Sequence, residues 1–245
     1  MKIFLSGIEA SGEFWQINNS IKKYKYILCS YYYLKQDVFD EIKKKAELIL
    51  IDSGAHSFQK GKKVDWVTYT KKYAHWIQEN DSPQIIGYFE MDVDNIIGYE
   101  KVLELRKVLE TVSNKIIPVW HKNRGISEYK KMCQDYAGKI IAITGFKNED
   151  IKDDQYMMFL KYAKKWNCRV HCLGMTRKKV LDKVPFDFAD SSSWKQQAIY
   201  GRIGDKKVSK EFSKEKRWLV MAESLKNAMN MQEHYYQKWK KVCKD

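Results

Sequence analysis

The sequence has few of the features that mark flexible, secreted or membrane-spanning chains. Its 245 residues include three prolines and twelve glycines, too few for long unstructured linkers. It has no run of about 18 apolar residues, the length of a membrane-spanning helix. The N-terminus also lacks the basic and then apolar pattern of a secretory signal. We therefore expect a globular, cytoplasmic chain without a membrane partner.

Cysteine is also sparse. The five cysteines are scattered and odd in number, which is typical of a reducing cytoplasm rather than of a disulfide framework. Cys168, His171 and Cys172 are close enough to suggest a metal site. In a strand, however, His171 faces away from both cysteines, and no second ligand pair follows. We expect buried strand residues here, and neither a metal nor another cofactor.

Charge of one sign dominates. Lys and Arg number 45 against 31 Asp and Glu, a net charge of +14, and aromatic residues reach 14%. A basic surface rich in Tyr and Trp suits a polyanion, of which nucleic acid is the usual one. Lysine-rich chains also show such an excess without a partner, so the charge favours a nucleic-acid partner without establishing it.

Apolar runs alternate with segments of helical periodicity along the chain. Eight runs read as buried parallel strands; they begin at Lys2, Tyr26, Leu48, Ile85, Ile116, Lys139, Cys168 and Pro185. This alternation predicts an α/β fold, a single TIM-type (β/α)8 barrel. The alternative is an open doubly wound sheet. That fold usually has a glycine-rich phosphate loop after an early strand, and GIEASGE from Gly7 matches one poorly.

We predict one domain over residues 1–245. Residues 1–194 form the eight strand–helix units, 195–216 a basic, turn-rich loop, and 217–245 a C-terminal helix. The helix is rich in methionine and aromatic residues. It is suited to packing either on its own barrel or on a second copy, so a homodimer is left open.

Polar residues follow several of the predicted strands. Functional side chains of this fold lie at the carboxyl ends of the strands, and Asp52, Asp92 and Asp190 occupy such positions. Carboxylates held at one mouth repel each other, so at least one pKa should be raised. His121 has a similar position, but it is as consistent with a structural residue, and we assign it no role.

Gly145 and Gly174 end the sixth and seventh runs, where they would let a flat ligand approach the backbone. Two carboxylates beside such a slot suit chemistry at the anomeric carbon of a sugar. One attacks C1′, and the other protonates the leaving group and then serves as a base. A third carboxylate can accept hydrogen bonds from the N–H groups of a purine.

Five motifs carry a resemblance to a known family. They are DSGAHS (Asp52 to Ser57), FEMD ending at Asp92, TGF (Thr144 to Phe146), HCLG (His171 to Gly174) and FADSSSW ending at Trp194. Each falls at a strand end, in the order expected. The set resembles the tRNA-guanine transglycosylase superfamily (queuine or archaeosine tRNA-ribosyltransferase-like), and more closely its phage and bacterial relatives that insert 7-deazaguanines into DNA.

The resemblance implies roles for individual residues. Asp52 would be the general acid and base, and Asp190 the nucleophile. Asp187 is the rival nucleophile, but three residues upstream it should face away and lie deeper in the strand. The base-binding residues would be Ser53, Gly54, His56, Asp92, Gly145, Phe146 and Gly174. His56 stands where the family usually has a stacking phenylalanine, a departure that bears on base affinity or identity.

A second departure concerns the nucleic acid. The family's tRNA enzymes carry a CxCxxC…H zinc subdomain that helps to hold tRNA, and this sequence has none, which favours DNA over tRNA. The basic segment stands in its place. Its candidate phosphate contacts are Lys195, Arg202, Lys206 and Lys207; the alternative is a solvated loop. The implied partners are nucleic acid and a free 7-deazaguanine base, in the cytoplasm of a bacterial or phage-infected cell.

Two other functions remain open on the sequence. A nucleosidase or DNA glycosylase would form the same covalent intermediate and let water capture it. A non-catalytic barrel would bind a base or nucleotide without forming a covalent adduct.

Overall fold

The computed structural model describes residues 1–58, 64–145, 151–175, 177–203 and 206–243. The strands of its main sheet are β1 (Lys2–Ser6), β2 (Tyr24–Ser30), β3 (Ala46–Asp52), β4 (Ile85–Phe89), β5 (Ile116–Ile117), β6 (Val119–Trp120), β7 (Ile140–Thr144), β8 (Arg169–Leu173) and β9 (Phe188–Ser191). A separate hairpin joins β10 (Arg202–Ile203) to β11 (Lys206–Lys207).

Helices alternate with these strands. They are α1 (Phe14–Ser20), α2 (Gln36–Lys45), α3 (Trp66–Asn80), α4 (Asp94–Ile97), α5 (Tyr99–Glu110), α6 (Gly125–Asp135), α7 (Tyr156–Lys165), α8 (Lys178–Leu181), α9 (Ser193–Ile199), α10 (Lys210–Glu215) and α11 (Arg217–Trp239). Short 3-10 helices span Ala55–Phe58 and Lys122–Arg124. None of the helices in the described part of the chain combines the length and hydropathy needed to cross a membrane.

The main sheet is a nearly closed parallel barrel. Its strand order is β5-β4-β3-β2-β1-β9-β8-β7-β6. Pro118 separates β5 from β6 because proline has no N–H for the ladder, yet its carbonyl still accepts a 2.9 Å hydrogen bond from the Ala142 N–H. The two short strands therefore occupy one of eight strand positions. The predicted TIM-type barrel is confirmed, and the open doubly wound sheet is excluded.

Several strand boundaries differ from the prediction. β2 and β3 begin two residues earlier than expected, because Tyr24 and Ala46 already pair across them. β9 begins at Phe188 rather than at Pro185, and β4 ends at Phe89. The predicted order of the strands is unaffected.

Alternate residues of each strand fill the barrel. The interior cluster consists of Phe4, Tyr26, Leu28, Leu50, Phe89, Ile117, Val119, Ile140, Ala142 and Phe188. His171 lies among their rings. Cys168 and Cys172 belong instead to the layer between strands and helices. His171 and the two cysteines therefore face opposite sides of the sheet, in agreement with the alternation of the strand.

The segment 195–216 is not the loop that we predicted. It contains the end of α9, the β10–β11 hairpin and α10. The physical reason is local burial: Trp194 and Ala198 are each only 2% exposed and join the hydrophobic core. Ser209 then caps α10 by accepting a 3.1 Å hydrogen bond from the Phe212 N–H.

The long C-terminal helix is present and packs on its own barrel. α11 begins at Arg217, as predicted, but ends at Trp239, before the predicted end of the chain segment. Gln232 is fully buried, and its amide donates to the carbonyls of Ile3 and Tyr26 at 2.7 and 2.8 Å. These bonds tie the helix to β1 and β2.

Candidate active site

The inward-facing residues at the ends of most strands line a cavity at the mouth of the barrel. Strand alternation continues from the interior cluster to Ser6, Ser30, Asp52, His121, Thr144 and Asp190, all of which line the cavity. Its volume is about 880 Å³, within the usual range of small-molecule pockets. Gly174 and Asp92 also line it, so the cavity brings the three predicted aspartates together.

Asp52 is held by a tight glycine turn. Gly54 has φ +73°, and a Cβ there would lie 2.4 Å from Tyr32 Cβ and 2.9 Å from the Tyr32 nitrogen. Only glycine fits this position. Its N–H donates to Asp52 Oδ2 at 3.1 Å. The turn therefore caps the strand and orients the carboxyl group.

Burial sets the protonation of Asp52. Loss of solvent raises its pKa from the ordinary 3.8 to about 7, although the Gly54 N–H opposes the shift. The charges of Asp190, Asp92 and Glu9 raise the pKa further. Near neutral pH, a large fraction of the Asp52 side chains therefore carries a proton.

The Asp190 carboxyl group, by contrast with that of Asp52, is held by two hydrogen-bond donors. Its Oδ1 accepts hydrogen bonds from the Gly174 N–H at 2.8 Å and from His171 Nε2 at 3.0 Å. His171 is fully buried, and its Nδ1 has no hydrogen-bond partner among the described residues. The proton of a neutral imidazole therefore belongs on Nε2. Two N–H donors suit an ionised carboxylate.

Asp187 lies immediately before β9, at the end of that strand opposite to Asp190. Its carboxylate accepts from Lys164 Nζ at 2.7 and 2.8 Å and from the Val170 N–H at 2.7 Å. It lines a separate small cavity with Met1 and Lys2. Of the two candidate nucleophiles, only Asp190 lines the mouth cavity.

Asp92 stands in a network of charges. His121 Nε2 lies 2.8 Å from both of its oxygens, and Arg124 Nη2 lies 3.3 Å from Oδ1. Burial would lower the pKa of His121, but the hydrogen bond and charge of Asp92 outweigh it and raise the pKa overall. The sequence left His121 without a role, and Arg124 was missed; both follow the fifth strand position.

Asp92, Asp94 and His121 form a group that could hold a metal ion, since their ligand atoms lie within 4.8 Å of one another. Arg124 already contacts both carboxylates, through Nη2 to Asp92 and Nε to Asp94 at 2.9 Å. A cation would meet this fixed positive charge. The arrangement is better suited to N–H groups of an organic ligand.

Glu90 is a buried partner of Arg124 in this network. It is fully buried and accepts from Arg106 Nε, from Arg124 Nη1 at 3.1 Å and from the Val119 N–H at 2.7 Å. One carboxylate thus faces two buried guanidinium groups.

Replacing Glu90 by glutamine should lower the free energy of unfolding by about 3–5 kcal/mol, because Arg106 loses its buried counter-charge and Arg124 loses one of its three carboxylate partners. Urea unfolding measures the change. The exposed ion pair of Glu41 with Lys44 provides the control, since Glu41→Gln should cost less than about 1 kcal/mol. Equal losses for the two variants would refute a structural role for the network.

Glu9 was missed because it lies in the loop beyond β1. It is 7% exposed, lines the mouth cavity, and accepts from the Ser30 N–H at 3.0 Å. Its Oε2 is buried without a hydrogen-bond partner among the described residues, and burial raises its pKa. The strand-end rule that selected the aspartates, applied to the first strand, points to this residue.

The remaining predicted residues fall into three groups. Ser53 is buried, and its hydroxyl donates to the Glu90 carbonyl at 2.9 Å, so the hydroxyl does not face the cavity. Gly145 packs against Leu173 and Cys172, and a Cβ on Gly145 would lie 2.6 Å from the Leu173 oxygen. The His56 side chain and Phe146 lie outside the described part of the chain.

The predicted phosphate contacts differ in position. Lys195 lines the mouth cavity and donates to the carbonyls of Gly7 and Ala10, at 3.1 Å each. Arg202, Lys206 and Lys207 are exposed on the β10–β11 hairpin. Lys195 is thus part of the cavity wall, and the other three form an outer basic surface.

Comparisons with known proteins add no family. No protein-family model matches the chain, and no curated protein and no solved structure matches it. Function therefore has to be argued from the barrel, its carboxyl groups and the sequence motifs.

Proposed function

We propose that the protein exchanges guanine in nucleic acid for a free 7-deazaguanine base through a covalent sugar–aspartate intermediate. DNA is favoured over tRNA, and the setting is the cytoplasm of a bacterial or phage-infected cell. One observation carries the proposal: a single cavity holds Asp52, whose pKa is about 7, and Asp190, which has two N–H donors. An acid and an ionised nucleophile are the two groups that transfer of a glycosyl group requires.

In the first half-reaction, the target guanosine leaves the base stack and enters the mouth cavity. The Asp190 carboxylate attacks C1′ on the face opposite the base. The glycosidic C–N bond breaks, its electron pair stays with guanine, and the Asp52 proton neutralises the leaving base. The products are a sugar–Asp190 ester, free guanine and an Asp52 carboxylate.

In the second half-reaction, the incoming 7-deazaguanine takes the place of guanine. Asp52 removes the proton from the ring nitrogen that will bond to the sugar. That nitrogen attacks C1′, the ester bond breaks, and Asp190 leaves as a carboxylate. Two inversions give net retention, and Asp52 is protonated again for the next cycle.

The position of Asp92 supports a role in recognition of the base. β4 and β9 lie four strand positions apart in a barrel of eight, so Asp92 faces Asp190 across the mouth. A purine whose sugar lies at Asp190 would extend toward Asp92, which offers acceptor oxygens to its N–H groups. His121 and Arg124 hold the Asp92 carboxyl group in place through contacts of 2.8 and 3.3 Å.

The test is base exchange with radiolabelled guanine and purified protein. Single-stranded DNA, duplex DNA and bulk tRNA are supplied in separate reactions, and each is assayed for incorporated label and for released guanine. Label entering one polymer supports the proposal and identifies the substrate. Release of guanine without incorporation of label would indicate a hydrolase instead. If neither incorporation nor release occurs, the protein would be a binding protein.

His171 should act as a positioning residue for Asp190. We expect His171→Leu to lower the exchange rate constant by about 10- to 100-fold, the value of a charged hydrogen bond, with little change in KM. His171→Gln retains an N–H donor and should recover part of the rate. The pH profile of both variants tests the assignment, because a purely structural role would leave its shape unchanged.

A further inference from the structure

A second cavity lies beside the mouth, and we call it the α9 groove. Ser193, Gln196, Gln197, Tyr200, Arg202 and Lys207 line it, and its volume is about 620 Å³. Ser193 follows Asp190 by three residues, and its neighbour Ser192 lines the mouth cavity. A seven-residue helix such as α9 is about 10 Å long. The groove therefore lies within reach of a nucleotide next to one bound at Asp190.

The most exposed aromatic ring of the described residues lies in this groove. Tyr200 is 75% exposed at the C-terminal end of α9. An exposed ring of this size presents a face on which a flat ligand can stack. Stacking on exposed aromatic side chains is how proteins hold single-stranded bases without reading their sequence.

The wall of the groove carries positive charge. Arg202 and Lys207 are paired partners across the β10–β11 hairpin, and both side chains are exposed. The described residues that line the groove include no carboxylate. The amides of Gln196 and Gln197 offer both donors and acceptors. An aromatic face bordered by two cations matches one nucleotide: a base for the ring and phosphates for the cations.

We propose that the α9 groove binds a nucleotide adjacent to the reacting one, in a single-stranded polynucleotide, with its base stacked on Tyr200 and its phosphates on Arg202 and Lys207. The strand must be single because, in a duplex, the neighbouring base pairs cover both faces of each base. The position of the nucleotide rests on the proposed function; the affinity of the groove for a single strand does not.

Fluorescence anisotropy tests the proposal without requiring catalysis. A labelled DNA 12-mer, its duplex and an RNA of the same sequence are titrated with wild type, Tyr200→Ala and Tyr200→Phe. We expect the single strands to bind more tightly than the duplex. Tyr200→Ala should weaken single-strand binding by about 10-fold, the value of one stacked base, and Tyr200→Phe by less than about twofold.

Salt dependence separates stacking from charge. Lys207→Gln should lower the slope of log Kd against log salt by about 0.7, the value of one phosphate contact on a single strand. Tyr200→Ala should leave that slope unchanged. Trp166, 37% exposed at the end of α7, supplies the control, and Trp166→Ala should bind like wild type.

Each outcome bears on the proposal. Binding of RNA that also depends on Tyr200 supports stacking and shows that the groove accepts either sugar. Equal binding of duplex and single strand, or unchanged binding by Tyr200→Ala, would overturn it. Tyr200-dependent binding without base exchange would support the groove proposal and contradict the transglycosylase proposal. Base exchange without Tyr200-dependent binding would support the transglycosylase proposal and contradict the groove proposal.

Discussion

Asp52→Asn should make the protein more stable at alkaline pH. The pKa of Asp52 is about 7 in the folded protein against an ordinary 3.8, so the folded state binds the proton more tightly. The contribution of the proton to stability is complete below about pH 4 and is lost as pH rises through 7. The two pKa values correspond to roughly 4 kcal/mol, which we reduce to about 2 kcal/mol for partial exposure to solvent.

Asparagine does not titrate, so the variant escapes this loss. In urea unfolding, the stability of Asp52→Asn relative to wild type should increase by about 2 kcal/mol between pH 4 and pH 8. Asp40, exposed on α2, provides the control, and Asp40→Asn should show no such trend. A constant difference between Asp52→Asn and wild type across this range would contradict the raised pKa.

Asp52 should also determine how the exchange rate depends on pH. The first half-reaction needs protonated Asp52 and the second needs its carboxylate, so exchange by wild type should be fastest near pH 7 and fall on both sides. Asp52→Asn should lose exchange at every pH. An exchange rate that rises steadily from pH 5 to pH 9 would exclude Asp52 as both acid and base.

Asp190→Ala has the largest expected effect on activity. The nucleophile forms the covalent bond, and removal of such a residue costs on the order of 10⁴-fold or more in rate. Asp190→Asn retains the shape of the side chain and should be similarly inactive. Base binding at Asp92 should persist in both variants, since the His121 and Arg124 contacts do not involve Asp190.

Circular dichroism and urea unfolding establish that the two Asp190 variants are folded before their rates are compared. Asp40→Asn again serves as the control and should exchange at the wild-type rate. Retention of more than about a tenth of the exchange rate by a folded Asp190→Ala would exclude a covalent role for this residue.

Local sequence patterns were sufficient to predict the barrel and the three aspartates that line its mouth cavity. The apolar runs and their alternation place Asp52 two residues beyond the inward-facing Leu50, and Asp190 two residues beyond Phe188. Both therefore face the mouth. The face to which a strand residue points depends on its position along that one strand, so the local sequence is sufficient to predict it.

Long-range contacts could not be predicted in the same way. Glu9 is buried beside Ser30 and Lys195, and Lys195 lies 186 residues later in the chain. Glu90 is paired with arginines from two different segments. The same holds for α9: the hydroxyl of Ser224 in α11 donates to the Trp194 carbonyl at 2.7 Å. From its polar sequence alone, the segment 195–216 was therefore predicted to be a loop.

The covalent intermediate gives the most direct test of the central claim. The protein is incubated with a single-stranded oligonucleotide that contains one guanine, without a replacement base, and quenched in acid. Intact-mass and peptide mass spectrometry then locate any adduct. We expect an added mass equal to the oligonucleotide less guanine, on the peptide that contains Asp190, and none in Asp190→Ala. An adduct on another residue, or base exchange by wild type with no adduct, would contradict it.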